Sequence, residues 1–214
     1  MPLHVIIADE HGAVRLGLKY MIHEWMPESQ VSYAKDIPEL TALLDAASPD
    51  VIVLDINLPG GNNFQVVKQL KKKRPHTRVL IFSAYNEMLY AFRCIDAGAD
   101  GYLQKDGDED DFREAMNTVC RGRKYLGPKM RDYLLERRSG NVQQWKNPLA
   151  ALSDRETEVC QLLVAGKGVS EIANDLDLHT STVGTYKSNI YAKLAVQNLS
   201  ELIDKVRIYA VAGA

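Results

Sequence analysis

Five polar side chains stand where runs of apolar residues end. Asp9 and Glu10 follow "LHVIIA", Asp55 follows "VIVL", Ser83 follows "VLIF" and Lys105 follows "GYLQ". Short β-branched runs bounded by turn residues read as buried parallel strands, and ligands of open α/β sheets collect at the carboxyl ends of such strands. If the first and third strands are neighbours, three carboxylates converge there. Two carboxylates about 4 Å apart repel by roughly 4 kcal/mol at an effective dielectric near 20, so three demand a cation. Hard oxygen donors with room for water suit Mg²⁺ better than zinc or copper. A nucleophilic carboxylate, a metal site, a hydroxyl and an ammonium around one point are the parts needed for phosphoryl transfer onto an aspartate.

The elements that must place these groups alternate regularly. Strand patterns at Leu3–Ala8, Val31–Ala34, Val51–Leu54, Val79–Phe82 and Gly101–Leu103 alternate with amphipathic segments near 13–25, 37–47, 63–73, 87–97 and 109–121. Strict alternation with short connections predicts an α/β fold: five parallel strands, doubly wound in the flavodoxin-like manner, with helices on both faces. Breakers fall at Pro27, Pro38, Pro49, Pro59-Gly60-Gly61, Pro75 and Gly98. This domain spans 1–122. Residues 123–150 form a basic connector, with a helical piece near Pro128–Arg138 loosening through Ser139-Gly140-Asn141. Residues 151–214 carry no strand pattern and predict a separate, all-α domain of four helices.

Charge separates the same three blocks. The 214-residue chain has net charge −2, but residues 1–122 hold 13 Lys/Arg against 18 Asp/Glu, the connector 7 against 2, and the last block 6 against 8. The composition, 46% apolar and 25% charged, is that of a globular protein. Cys94, Cys120 and Cys160 are too few and too scattered for a disulfide framework or a zinc motif. With no leader-like h-region and no apolar run near 18 residues, a cytoplasmic protein without membrane association is expected.

In the last block, Ser153 and Glu156 form a capping box before a helix to Ala165, and Gly166-Lys167-Gly168 closes it. A short helix over Val169–Leu176, a tight Asp177–His179 connection and a helix from Thr180 to Leu194 make a helix-turn-helix pattern. A last helix covers Leu199–Val211.

The acidic constellation over residues 3–121 resembles the receiver domain of two-component response regulators. "LSDRETEVCQLLVAGKGVSEIA" with "VSEIANDLDLHTSTVGTYKSNIYAKL" is similar to the LuxR-type output domain. Together the halves resemble the NarL/FixJ family of response regulators. The resemblance implies that Asp55 is the phosphoacceptor, with Mg²⁺ held by Asp9, Glu10, Asp55 and the backbone carbonyl of Asn57. It implies Ser83 and Tyr102 as the switch pair, with plain core packing the lesser alternative for Tyr102, and Lys105 as the phosphoryl-binding lysine.

On the recognition helix the resemblance implies base contacts from Gly184, Thr185 and Ser188. Lys187, Asn189, Lys193, Thr180, Ser181 and Thr182 become candidates for phosphate contacts. The implied partners are a sensor histidine kinase, double-stranded DNA, a second copy of the chain after phosphorylation, and RNA polymerase. The resemblance also implies a dimer surface on the last helix from Leu199, Leu202, Ile203, Val206 and Ile208, residues that equally suit the domain's own core. Glu10 stands where Asp is usual, Asn62-Asn63 where Asp-Gly is usual, Gly184 where many members carry Lys, and Tyr186 where many carry His. The acidic balance of the last block favours weak monomer binding to DNA. It keeps open a receiver-controlled adaptor whose helical domain contacts protein instead.

The expectation is a regulator rather than an enzyme. Haloacid-dehalogenase-type phosphatases also use an aspartate after an apolar strand. They need a second Asp two residues on as general acid, and here that position is Asn57.

Overall fold

The computed structural model describes residues 2–60, 63–85, 87–128, 130–131 and 148–211. The chain divides into two compact units, the first comprising Met1–Ala84 and Ala91–Gly127, the second holding the C-terminal helices.

The first unit is a five-stranded parallel sheet in the order β2-β1-β3-β4-β5. Its strands are β1 (His4–Ala8), β2 (Gln30–Ala34), β3 (Val51–Leu54), β4 (Arg78–Ser83) and β5 (Gly101–Gln104). Between and after them run α1 (Gly12–Trp25), α2 (Ile37–Ala46), α3 (Asn63–Lys73), α4 (Glu87–Asp96), of which Ala91 onward belongs to this unit, and α5 (Glu109–Cys120). β1 pairs in register with β3, Ala8 opposite Leu54, so the residues after each emerge side by side. Every residue of β3 is buried, which a strand covered on both faces requires.

Alternation along the strands sends Val5, Ile7, Val51, Val53 and Leu80 to one face. There they pack with Leu18 and Ile22 of α1 and Phe112, Ala115, Met116 and Val119 of α5. Each of these side chains other than Ala115 contributes about 1.5–3 kcal/mol by leaving water. The Asp108/Asp111 capping box starts α5, and the Asp36 carboxylate, accepting from Glu39 N–H, starts α2.

β4 ends at Ser83, as the sequence pattern places it. One finding differs from that pattern. The chain after α5 does not leave the sheet at residue 122. Tyr125 forms a parallel bridge with Gly101, and its N–H and carbonyl bond Asp100 and Tyr102. Gly101 permits this close approach, since a Cβ there would meet Leu80 Cδ1 at 2.9 Å and Tyr125 Cβ at 3.1 Å. Pro128, Met130 and Arg131 are helical, whereas the rest of the expected helix to Arg138, the 139–141 tether, Gly61 and Asn62 lie outside the described residues.

In the C-terminal unit the described residues from 148 onward form a 3₁₀ turn (Pro148–Ala151), α6 (Asp154–Val164), α7 (Val169–Asp175), α8 (Thr180–Leu194) and α9 (Leu199–Val211). The Ser153/Glu156 capping box is formed as the residue types require. Ile172 and Ala173 of α7 and Val183, Ile190 and Leu194 of α8 are all buried, which sets the α7–α8 pair. On α9, Leu202 and Val206 are spent on burial within the unit, while Leu199 and Ile203 stay partly exposed. The Ile208 side chain lies outside the described ones.

Asp177 and Ala195 take left-handed backbone, with φ of 52° and 50°. Ala195 ends α8, the position where Gly is favoured because a Cβ crowds the following carbonyl. Ala195→Gly is therefore expected to stabilise the C-terminal unit by about 0.5–1 kcal/mol. Urea unfolding of the full chain, read by amide exchange of Ile190 and Leu194, checks it; no gain would mean the backbone relaxes without strain.

Candidate functional site

The pairing of β1 with β3 brings Asp9 and Asp55 together, and β5 delivers Lys105 between them. The Lys105 ammonium lies 2.6 Å from Asp9 Oδ2 and 2.7 Å from Asp55 Oδ2. Both carboxylates are almost fully buried, 3% and 7% exposed, and the lysine side chain is 16% exposed. Burial works to lower the Lys105 pKa. The hydrogen bonds and charges of Asp55 and Asp9 outweigh it and hold the ammonium above the ordinary lysine value. The ammonium also lies 5.8 Å from the Phe82 ring centre.

The other oxygens of the two carboxylates are oriented by backbone. Asp55 Oδ1 accepts from Asn57 N–H at 3.0 Å, and Asp9 Oδ1 accepts from His11 N–H at 2.8 Å. Ser83, at the carboxyl end of β4, is buried, and its carbonyl accepts from Lys105 N–H, fixing the lysine beside it. Tyr102 is fully buried in β5.

Glu10 does not join the convergence expected of it. It is exposed, and the donors lying within 4.8 Å of one another among the described residues belong to Asp9, His11 and Asp55. β1 ends at Ala8, and in the bend that follows Asp9 is buried beside Asp55 while Glu10 is exposed. His11, to which the sequence pattern assigned no role, stands in that place, its Nδ1 3.2 Å from Asp9 Oδ1. Arg15 was also overlooked. Its guanidinium donates to the Asp9 and Glu10 carbonyls at 2.6 and 3.0 Å and so pins the β1–α1 loop. Its spacing, one helical turn after His11, was the available signal.

The donor set fits a hard divalent cation. Asp9 and Asp55 present carboxylate oxygens at one point, and a single ammonium bridges two buried negative charges, leaving the site net negative.

In the C-terminal unit, Thr180, Ser181, Thr185, Ser188 and Asn189 are exposed on α8, and Thr182, Gly184 and Lys187 partly so. The Thr185 and Ser188 hydroxyls bond back to the Ser181 and Gly184 carbonyls, at 3.0 and 3.1 Å. A Cβ at Gly184 would meet nothing within 4 Å, so no packing inside the unit demands glycine there. The Lys187 ammonium sits over the Tyr191 ring at 5.5 Å. Lys193 is engaged elsewhere: its ammonium is 2.6 Å from Glu156 Oε2, tying α8 to the capping box of α6.

Residues 5–117 match the family described as "Response regulator receiver domain", and residues 150–206 match "Bacterial regulatory proteins, luxR family". The chain is 32% identical over 209 residues to the Fimbriae Z protein of Escherichia coli (strain K12), covering 97% of this chain and 98% of that one. It is 30% identical over 207 residues to the oxygen regulatory protein NreC of Staphylococcus carnosus (strain TM300), covering 94% and 95%. Among solved structures it is similar to RcsB from Salmonella enterica serovar Typhimurium bound to promoter rprA in the presence of phosphomimetic BeF3-. That likeness has a TM-score of 0.68 at 25% identity, covering 97% of this chain and 99% of that one.

The sheet order, the lysine-bridged aspartates and the helix-turn-helix thus define a two-component response regulator, a receiver domain joined to a LuxR-type output domain. The chain belongs to the NarL/FixJ family of such regulators. Among the described residues no helix is long and apolar enough to cross a membrane.

Proposed function

We propose that Asp55 accepts a phosphoryl group from a sensor histidine kinase, and that this controls binding of double-stranded DNA by α8 and hence transcription. The observation that carries the reading is the Lys105 ammonium within 2.7 Å of oxygens of both Asp9 and Asp55. An aspartate oxygen attacks phosphorus, the bond to the donor imidazole breaks, and the imidazole leaves with the electron pair. Asp55 supplies that oxygen, held in aim by Asn57 N–H on its other oxygen. Lys105 exchanges a carboxylate partner for a phosphoryl oxygen, and the Ser83 hydroxyl accompanies it.

Asp9, Asp55 and the Asn57 carbonyl would hold Mg²⁺, with Glu10 as an outer carboxylate. Bound there, the ion supplies charge neutralisation for the transferring oxygens. Tyr102 follows the Ser83 loop, and the face built from α4, β5 and α5 repacks and promotes pairing of two copies. Shifting such an equilibrium from 1:99 to 99:1 takes about 5.5 kcal/mol, within reach of a doubly charged group gaining several partners.

On DNA, Gly184, Thr185 and Ser188 face bases while Thr180, Ser181, Thr182, Lys187 and Asn189 meet phosphates. Lys193 contributes once it exchanges Glu156 for a phosphate. RNA polymerase would be the downstream partner. The solved relative RcsB was captured on promoter DNA with a phosphomimetic, which supports the same order of events for this chain.

The test is binding of the full chain to promoter fragments from its own genome, with and without beryllofluoride, at fixed salt. Binding strengthened at least tenfold by the mimic is expected. Binding in neither state would favour the adaptor reading, which the tethered Lys193 and the acidic balance of the helical domain also suit. Equal binding in both states would sever the receiver from the output.

A further inference from the structure

We infer that the groove between α2 and α3 of the receiver binds a small acid with an apolar body, its carboxylate held where the two helices end. Ile37, Leu40 and Leu44 of α2 and Val66 and Leu70 of α3 line a cavity of about 310 Å³. Their spacing of three and four residues puts each set on one stripe of its helix. Leu40, Leu44 and Leu70 are buried, while Ile37 and Val66 stay half-buried. From Ile37 to Leu44 the stripe is about 10 Å long at roughly 1.5 Å per residue, so it suits an extended alkyl chain of medium length. A volume of about 300 Å³ is at the small end of ligand pockets.

One end of the groove is positive. Both helices finish there, and α3 carries no carboxylate along its length. Of the run Lys71 to Arg74, Lys71 is taken by Asp100 at 2.9 Å. Arg74 donates to the Leu44 carbonyl and, at 3.2 Å, to Ser48 Oγ. Both acceptors are neutral, so the guanidinium closes this end of the groove with its charge unanswered. Among the described residues Lys72, Lys73 and Arg74 have no carboxylate partner. Three cations stand against Asp45, the one carboxylate on the lining, and about half a negative charge from each helix terminus, which leaves the end net positive. Lys73 lines the groove and is exposed, so its ammonium can close over a carboxylate without first breaking an ion pair. Positive charge beside apolar walls selects an amphipathic anion over a neutral or cationic molecule of the same shape.

The experiment adds sodium decanoate, decanol or decylamine, each below its micellar concentration, to the isotope-labelled full chain and follows amide shifts. Decanoate is expected to shift the Thr41, Leu44, Gln69 and Lys73 amides saturably, several-fold more tightly than decanol, and decylamine not to bind. Gln69→Trp, which fills the groove from an exposed position, should abolish the shifts. Lys73→Ala should weaken decanoate several-fold, and Lys73→Arg should restore it. Both positions lie outside the Asp55 site, so labelling by acetyl phosphate that matches wild type shows that the variants fold. Equal affinity for decanol and decanoate overturns the anionic head, and shifts that survive Gln69→Trp place the acid elsewhere. Absence of saturable shifts overturns the site. If the same amides move instead on dilution of the chain alone, or with a leucine–glutamate amphipathic peptide, the groove belongs to a second copy or to a protein partner, and the small acid is equally overturned.

Discussion

Asp55→Asn is expected to take no covalent label from acetyl phosphate or from a phosphorylated kinase, while wild type forms an adduct that alkali releases. The amide is close to isosteric with the carboxylate but lacks a nucleophilic anion, so the covalent adduct itself disappears rather than forming more slowly. The fold should survive. Lys105 retains Asp9 at 2.6 Å, and the Asn57 N–H can still bond the Asn side-chain oxygen. One buried negative charge is removed from beside another, which lessens repulsion in the absence of metal. The variant should therefore unfold within a few degrees of wild type, and loss of label cannot be put down to loss of structure. Beryllofluoride should also fail to strengthen its DNA binding. Label persisting on Asp55→Asn would place the acceptor elsewhere and with it the whole signalling reading.

Why Asp55 was legible in advance is a matter of strand geometry. A wholly apolar run such as Val51–Leu54 has one way to be satisfied, between layers of helix, and a carboxylate at its end is then fixed at the sheet edge. Lys105 followed by the same logic from β5. Glu10 did not, because adjacency in sequence says nothing about which of two neighbours turns inward at a strand end. The lone His11 beside it carried no pattern that would set it above an ordinary surface histidine.

The Tyr125 bridge was illegible for a related reason. A single paired residue leaves no periodicity, so the stretch after α5 reads as connector by its basic composition alone. Lys193 illustrates a third limit. Spacing placed it on α8, but only packing decides that it meets Glu156, whose carboxyl is desolvated yet held below the usual range by Lys193 and Ser153. On α9, burial of Leu202 and Val206 assigns the centre of the apolar stripe to the unit's core. The stripe alone could not separate that from a dimer face.

The largest stability effect is expected at Asp100, a residue no motif marks. It is buried at the start of β5, and its carboxylate gathers Lys71 Nζ at 2.9 Å, Val79 N–H at 3.0 Å and the Arg78 guanidinium at 3.2 Å, with Lys124 at 3.7 Å. One side chain thus ties α3, β4, β5 and the segment returning after α5, at the sheet edge opposite Lys105 and Ser83. Gly98 makes room for it: φ is +110°, and a Cβ would meet the Lys71 stem at 2.9 Å.

Desolvation pushes the Asp100 pKa up, but Lys71, Val79 N–H and Lys124 prevail and hold it below the ordinary aspartate value. The unfolded chain therefore takes up this proton first as pH falls. The contribution is fully present above about pH 4 and is lost as pH drops through the lower native value. Asp100→Asn keeps shape but turns amide hydrogens toward cations and leaves the largely buried Lys71 without its counter-charge. A loss of about 2–4 kcal/mol at pH 7 is expected. Urea denaturation of the full chain in a Trp145→Phe background, read through Trp25 packed on Phe112, measures it. The gap from wild type should be constant down to about pH 5 and narrow toward pH 3 as wild type loses the same charge. A gap that stays full at pH 3 would mean that shape, not charge, makes Asp100 matter. A gap under about 1 kcal/mol at pH 7 would mean that water and the remaining bonds replace the staple.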